Sequence, residues 1–270
     1  MNEQHLEVAI QAAKAGAEEL MSRRVNRVVR EKADKDLVTD ADLASQYAIR
    51  KILLDAFDDY TFVGEEEGEN DPPPAVRRGD PDAPPCWVVD PLDGTINYVH
   101  CLQSFAVSIA LYAAGKMRLG VIYDPVCNEL FTAIDGGEAQ CNGQPIQTSG
   151  CSKLHDALVT CSFPPGVQGT DPEVERFIRV LEKSQSVRRL GSCALNMCYV
   201  AAGRLDAYWA TSVSAWDSAA GIVITRQAGA QVTSDQGSTL DPWKPKFCVS
   251  ANATLHEEMI DLLNYHSTKT

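Results

Sequence analysis

From Trp87 to Ile134 the chain runs through four apolar segments in succession, WVVD, FAVSIALYAAG, MRLGVIYDP and ELFTAI, separated by turn residues such as Asp124-Pro125 and Cys127-Asn128. Segments of this length, rich in β-branched and aromatic residues and bounded by turns, predict an antiparallel meander. On its N-terminal side, Leu6, Ala9, Ile10, Ala13, Ala17 and Leu20 recur at helical spacing, which predicts an amphipathic helix over His5–Arg23 and a second over about Ala41–Phe57. After about Gly150 strand and helix candidates alternate: ALVTCSF, EVERFIRVLEK, SVRRLG, ALNMCYVAAG, LDAYWA, WDSAAGIVITRQAG and a final helix ending near Tyr265. There is no internal repeat. The expectation is an α+β N-terminal subdomain, residues 1–145, joined to an α/β C-terminal subdomain, residues 146–270, in one unit.

The 24 Lys and Arg against 37 Asp and Glu give a formal charge of −13, which repels a phosphate backbone, so nucleic acid is not an expected partner. The N-terminus MNEQHLEVAI lacks a basic region followed by an apolar run, and no stretch approaches the ~18 apolar residues of a membrane span. Neither a signal peptide nor membrane insertion is expected. Nine cysteines, odd in number and without a C-x-x-C pair, argue against a disulfide framework and fit free thiols in a reducing cytoplasm. The segment Glu67–Pro85 holds six prolines and no large apolar residue except Val76, which predicts an exposed loop.

Three acidic motifs stand out. In Trp87-Val88-Val89-Asp90-Pro91-Leu92-Asp93-Gly94-Thr95 an apolar strand ends in a carboxylate, turns, and presents a second carboxylate where a helix can begin. Asp93 as a cap of that helix is the plain structural reading, leaving the N–H groups of Gly94 and Thr95 to face an anion. Gly64-Glu65-Glu66-Glu67-Gly68 follows a strand at Tyr60–Val63 and alone reads as a solvated turn. Ser214-Ala215-Trp216-Asp217-Ser218-Ala219-Ala220-Gly221 reads as a capping box on a helix of small residues that allow close packing. Spacing excludes an EF-hand, which would need an acid at Val89 and a glutamate at His100. Asp90 and Asp93 are also too far apart for the D-x-D of aspartyl-phosphate enzymes, and no G-x-x-x-x-G-K-[ST] loop is present.

Together these motifs resemble the inositol monophosphatase family, with its G-E-E, D-P-[IL]-D-G-T and W-D-x-A-[AG]-G signatures in this order. Ile96-Asn97-Tyr98-Val99-His100 continues the second motif, and the segment Lys32 to Asp42 is similar to the family's K-x-x-x-D-[LF]-V-T-x-x-D. The likeness covers nearly the whole chain. It implies a layered αβαβα sandwich of the inositol monophosphatase/fructose bisphosphatase type, a homodimer, and lithium sensitivity. It also implies Mg2+, two to three ions per site: Glu65, Asp90 and the Leu92 carbonyl on one, Asp90, Asp93 and Asp217 on a second, and a looser third near Glu65 and Asp42. Thr95, coupled to Asp42, would orient an activated water, while Asp93, Gly94, Thr95, Gly191, Ser192, Cys193 and Asp217 would meet substrate.

Chemistry agrees with that implication, because Mg2+ prefers hard oxygen donors and converging carboxylates repel one another without cations. The expected reaction is hydrolysis of a small polyol phosphate, inositol 1-phosphate first. Fructose 1,6-bisphosphatase or dual activity, a nucleotide 3′-phosphatase, a histidinol phosphatase and a non-catalytic metal-binding interaction protein are the alternatives. Two departures bear on substrate: Ala210 stands where the family usually has a hydroxyl-binding glutamate, and Cys193 ends the Gly-x-Ala that borders the sugar pocket. Gln227 and Ala230 replace a glutamate and a glycine at positions that read as structural.

Overall fold

The computed structural model describes residues 3–33, 36–66, 72–77, 79–164 and 166–265. The chain opens with α1 (Glu3–Arg23), a β1 (Val29–Ala33) and β2 (Asp36–Thr39) hairpin, α2 (Asp40–Ala56) and β3 (Thr61–Gly64). Then come α3 (Pro74–Arg77), β4 (Cys86–Asp93), α4 (Thr95–Val99), β5 (Ala106–Ala113), β6 (Lys116–Asp124), β7 (Glu129–Ile134), β8 (Gln140–Cys141) and β9 (Gln144–Pro145). The remainder is β10 (Leu158–Ser162), α5 (Pro172–Lys183), β11 (Ser186–Arg188), α6 (Cys193–Ala201), β12 (Ala207–Ala210), α7 (Ala215–Gln227), β13 (Gln231–Ser234), β14 (Phe247–Ser250) and α8 (Ala253–Leu263).

β3 to β9 form a seven-stranded sheet in sequence order, and β4 to β7 are the antiparallel meander. β3 joins its edge in parallel, placing Gly64 beside Val89. The second sheet has five strands in the order β11-β10-β12-β14-β13, parallel across the first three and antiparallel beyond.

Alternation along β4 sorts the layers. Trp87 and Val89 pack with Ala13 and Leu20 of α1 and with Ile49 and Leu53 of α2, whereas Val88 packs with Leu195 of α6 and Ala220 of α7. The other side of α6 and α7, at Met197, Val200 and Ile222, lies on Tyr208, Phe247 and Val249 of the second sheet. Trp209 and Cys248 on its far face are covered by Val180 of α5 and Leu255 and Met259 of α8. Helices, sheet, helices, sheet, helices is the expected αβαβα sandwich. Small residues make the central layer thin: a Cβ on Gly120 of β6 would fall 2.4 Å from the Ala220 carbonyl oxygen, and one on Gly221 would strike Met197.

The Pro-rich segment departs from expectation over its described part. Its lone large apolar residue, Val76, sits in the short helix α3 at 1% exposure, packed in the same cluster as Val63 and Cys86, so this stretch closes the end of the sheet. The part of the segment at 67–71 and 78 lies outside the described residues.

Candidate active site

The site forms where β4 breaks its regularity. Asp90 pairs with Ser108 and Asp93 with Ala106, so three steps on β4 match two on β5. In a regular strand residues three apart face opposite sides, and the extra residue of this bulge restores both aspartates to the α6/α7 side. Pro91, which has no N–H to give a ladder, fits there. The turn is fixed locally: the Leu92 N–H donates to Asp90 Oδ1 at 3.0 Å, and Thr95 Oγ1 donates to the Leu92 carbonyl at 3.0 Å.

Asp93 does not cap its own helix. Gly94, at φ +92°, is the N-cap of α4 and has no side chain to cap it; glycine is required there because a Cβ would approach the Ser104 carbonyl oxygen to 2.9 Å. The Asp93 carboxylate instead spans the chain to the start of α6. It accepts the N–H of Cys193 at 3.0 Å, the N–H of Ala194 at 2.9 Å, and the Ser192 hydroxyl. A helix N-terminus favours a carboxylate in this place. Asn97 secures the same loop, donating to the Ser104 carbonyl at 2.7 Å and the Leu190 carbonyl at 2.8 Å. Gly191, at φ +85°, passes so close that a Cβ would lie 2.7 Å from the Asn97 amide nitrogen.

Asp217 is the third residue of α7 and completes the capping box expected for Ser214, whose N–H it accepts at 2.7 Å. The same residue points its carboxylate at the β4 aspartates: oxygens of Asp90, Asp93 and Asp217 lie within 4.8 Å of one another. Glu65, one residue past β3, stands outside that trio but within electrostatic reach of all its members.

α2 holds the far side with one face. Asp42 accepts the Thr39 N–H at 2.9 Å and hydroxyl at 2.6 Å, a second capping box, and receives Thr95 Oγ1 at 3.4 Å. Ser45 donates to the Pro91 carbonyl at 2.9 Å. Gln46 clasps Glu66 twice, its amide donating to the Glu66 carbonyl at 2.8 Å and its oxygen accepting the Glu66 N–H at 2.9 Å. Sequence reasoning passed over Ser45 and Gln46, although they lie three and four positions after Asp42, on the same helix face.

The electrostatics are those of crowded anions. Burial, then the charges of Glu65, Asp93 and Asp217, push the Asp90 carboxyl well above the carboxylate range. Burial pushes Asp217 up to about 8, with Glu65 adding; the residue is half-buried at its surface but enclosed by protein around it. Burial likewise raises Asp93 to about 6 against the lowering pull of Ser192, Ala194 and Cys193. Asp42 rises to about 7 through burial, its Thr39 hydrogen bonds opposing. Oxygen-only donors that raise one another's pKa in this way suit a hard divalent cation such as Mg2+, and resist one another without it.

Of the three residues expected to border substrate on the α6 loop, only Gly191 is exposed; Ser192 is fully buried and Cys193 nearly so. Ala210 ends β12 at 0% exposure, in the same cluster as Cys193 and Tyr208. A cleft of about 460 Å3 beside Leu154, α5 and α8 lies on the far side of the second sheet, away from these carboxylates.

A two-layered carboxylate nest between a bulged strand and two helix N-termini, inside an αβαβα sandwich, is the construction of a metal-assisted phosphate monoester hydrolase. The chain belongs to the inositol monophosphatase family, whose model matches residues 1–268. It is 40% identical to the inositol-1-monophosphatase of Mesorhizobium japonicum, covering 86% of each chain. It is 37% identical to the Nus factor SuhB of Pasteurella multocida, over 86% of this chain and 85% of that one. An IMPase structure from Thermotoga maritima superposes with a TM-score of 0.85 at 30% identity, covering 97% of each. No described helix is long and apolar enough to cross a membrane.

Proposed function

We propose that the chain hydrolyses a phosphate monoester of a small polyol, inositol 1-phosphate foremost, with Mg2+ as its ion. The observation that carries this reading is the convergence of Asp90, Asp93 and Asp217 beside Glu65 and the Thr95–Asp42 pair. Asp90, Asp93 and Asp217 would hold one ion, and Glu65, Asp90 and the Leu92 carbonyl another. When bound, Mg2+ supplies charge to bind and orient the phosphate, activate water and stabilise the leaving alkoxide.

The remaining work falls to this chain's side chains. Thr95 Oγ1 accepts a hydrogen from the attacking water while its own hydrogen lies between the Leu92 carbonyl and Asp42 Oδ1. Asp42, raised to about 7, is poised to take up a proton near neutrality. Asp93, locked by three donors of the α6 start, keeps its free lone pairs in one direction. Gly94 and Thr95 offer half-buried backbone at the start of α4 to the phosphate oxygens.

With Ala210 buried and without a polar group, discrimination among polyols rests on fewer hydrogen bonds to substrate hydroxyls, which supports a broader substrate range. Phosphate release from inositol 1-phosphate, fructose 1,6-bisphosphate, adenosine 3′,5′-bisphosphate and histidinol phosphate, each with and without Mg2+, tests the proposal. Mg2+-dependent turnover with inositol 1-phosphate ahead is the expected result. No release from any of the four would overturn it, and a preference for another would move the substrate.

A further inference from the structure

We propose that the β6–β7 turn is a second metal site, separate from the catalytic carboxylates, that takes a borderline-soft divalent cation of the Zn2+ kind through Asp124, Cys127 and Glu129. One ligand atom from each of these residues lies within 4.8 Å of the others. Asp124 and Glu129 are the last paired residues of the hairpin and face each other directly, so their Cβ atoms stand about 5 Å apart.

Local folding brings in the sulfur. Asp124 Oδ1 accepts the N–H of Val126 at 2.8 Å and of Cys127 at 3.0 Å, which curls the turn so that Cys127 comes back over the carboxylate. The second oxygen is the independent sign of a ligand. Asp124 is 0% exposed, yet among the described residues its buried Oδ2 meets no donor in hydrogen-bond geometry, and the group that approaches the carboxylate is the Cys127 thiol of the same cluster. A buried carboxylate oxygen left so is costly, and a cation coordinated there offsets the cost.

The donor set separates the two sites by chemistry. Asp90, Asp93 and Asp217 give oxygen only, whereas a thiolate beside two carboxylates favours zinc-like ions over Mg2+. Arg204 is the competitor. Its guanidinium now donates to both Glu129 oxygens, at 2.7 and 2.5 Å, and lies over the Tyr199 and Phe131 rings. Metal entry releases the Cys127 proton to solvent and loosens Arg204 from Glu129. The divalent ion with two carboxylates and a thiolate then carries one negative charge, which solvent screens at the exposed Cys127 side of the turn.

The test titrates Co2+ into the full chain with Mg2+ in excess and follows the thiolate-to-cobalt absorption, which oxygen ligands cannot produce. A saturable band is expected that disappears in Cys127→Ser, whose position is exposed and tolerant, and persists in Cys193→Ser, the cysteine beside the catalytic carboxylates. Arg204→Ala should reach half-saturation at a Co2+ concentration at least about threefold lower, the scale of a partly exposed ion pair. Absence of a saturable band, its survival in Cys127→Ser, or an unchanged or raised half-saturation point in Arg204→Ala would each overturn the site.

Discussion

At the C-terminal end of β4, Asp90 and Asp93 meet Asp217 with no lysine or arginine paired to any of them among the described residues, and burial and mutual repulsion raise all three. Three strands away, Glu129 faces a cation of its own chain, and the Arg204 hydrogen bonds hold its carboxyl below the usual range despite partial burial. Both clusters hang from one sheet. The first stores electrostatic cost that a bound cation can relieve, as functional sites do, while in the second the Glu129 charge is balanced by Arg204, which a metal must displace to enter.

The sharpest way to break this contrast is Asp93→Asn. It should lower kcat by at least ~100-fold, because a group that would hold the ion loses its charge. Melting temperature without Mg2+ should change little, since relief of a repelled charge is offset by an amide nitrogen that cannot accept from the α6 donors; a large fall in stability with kcat intact would reverse the assignment. Ser192→Ala comes next. Loss of a hydroxyl donor to a buried carboxylate should reduce kcat about tenfold, with the circular dichroism spectrum retained. Activity unchanged in this variant would show that the α6 loop does not position Asp93.

Glu129→Gln should do the opposite of Asp93→Asn: kcat within a few fold, and a loss of about 0.5–1 kcal/mol in a denaturant titration, the usual scale of a partly exposed ion pair. A large drop in activity would erase the distinction between the clusters. The smallest effect concerns His256, outside both. Its Nδ1 lies 3.1 Å from Ser250 Oγ and its Nε2 2.8 Å from Thr233 Oγ1, and burial lowers its pKa. A depressed folded pKa contributes stability that is full above the unfolded value, about 6.5, and is lost as pH falls through the folded one. Melting temperature should therefore drop slightly more on acidification below that value than it does in His256→Gln.

Much of this was legible in residue order. Helices α1 and α2 follow from spacing, since each buries one stripe, whereas β4 to β7 follow from apolar runs bounded by turns, β4 and β5 being buried on both faces, and α7 from its run of small residues packed on two sides. The capping box of Ser214 and Asp217 was readable because both partners sit within one turn. The equivalent pair Thr39 and Asp42 carries the same local signal and went unread beside the family likeness. The partners of Asp93 were not legible, because the carboxylate reaches about a hundred residues along the chain to Ser192, Cys193 and Ala194, and nothing local marks that contact. Strands β13 and β14 also escaped; each has four residues and is stabilised by pairing across a loop more than by its own pattern.

The bulge at Pro91 and Leu92 sets the parity of everything downstream on its strand. With the same residues but a regular ladder to β5, Asp93 would roll over to the side lined by Trp87, Val89 and α1, a charge buried in hydrocarbon. Turns elsewhere in the same sheet, such as Gly136-Gly137, where a Cβ on Gly136 would meet nothing, can lengthen or shorten without altering which way a strand faces. Changes in chain length should thus be tolerated at the Gly136-Gly137 turn, whereas a deletion between residues 90 and 93 takes away backbone that holds the site, the Pro91 carbonyl that Ser45 meets or the Leu92 N–H that Asp90 accepts.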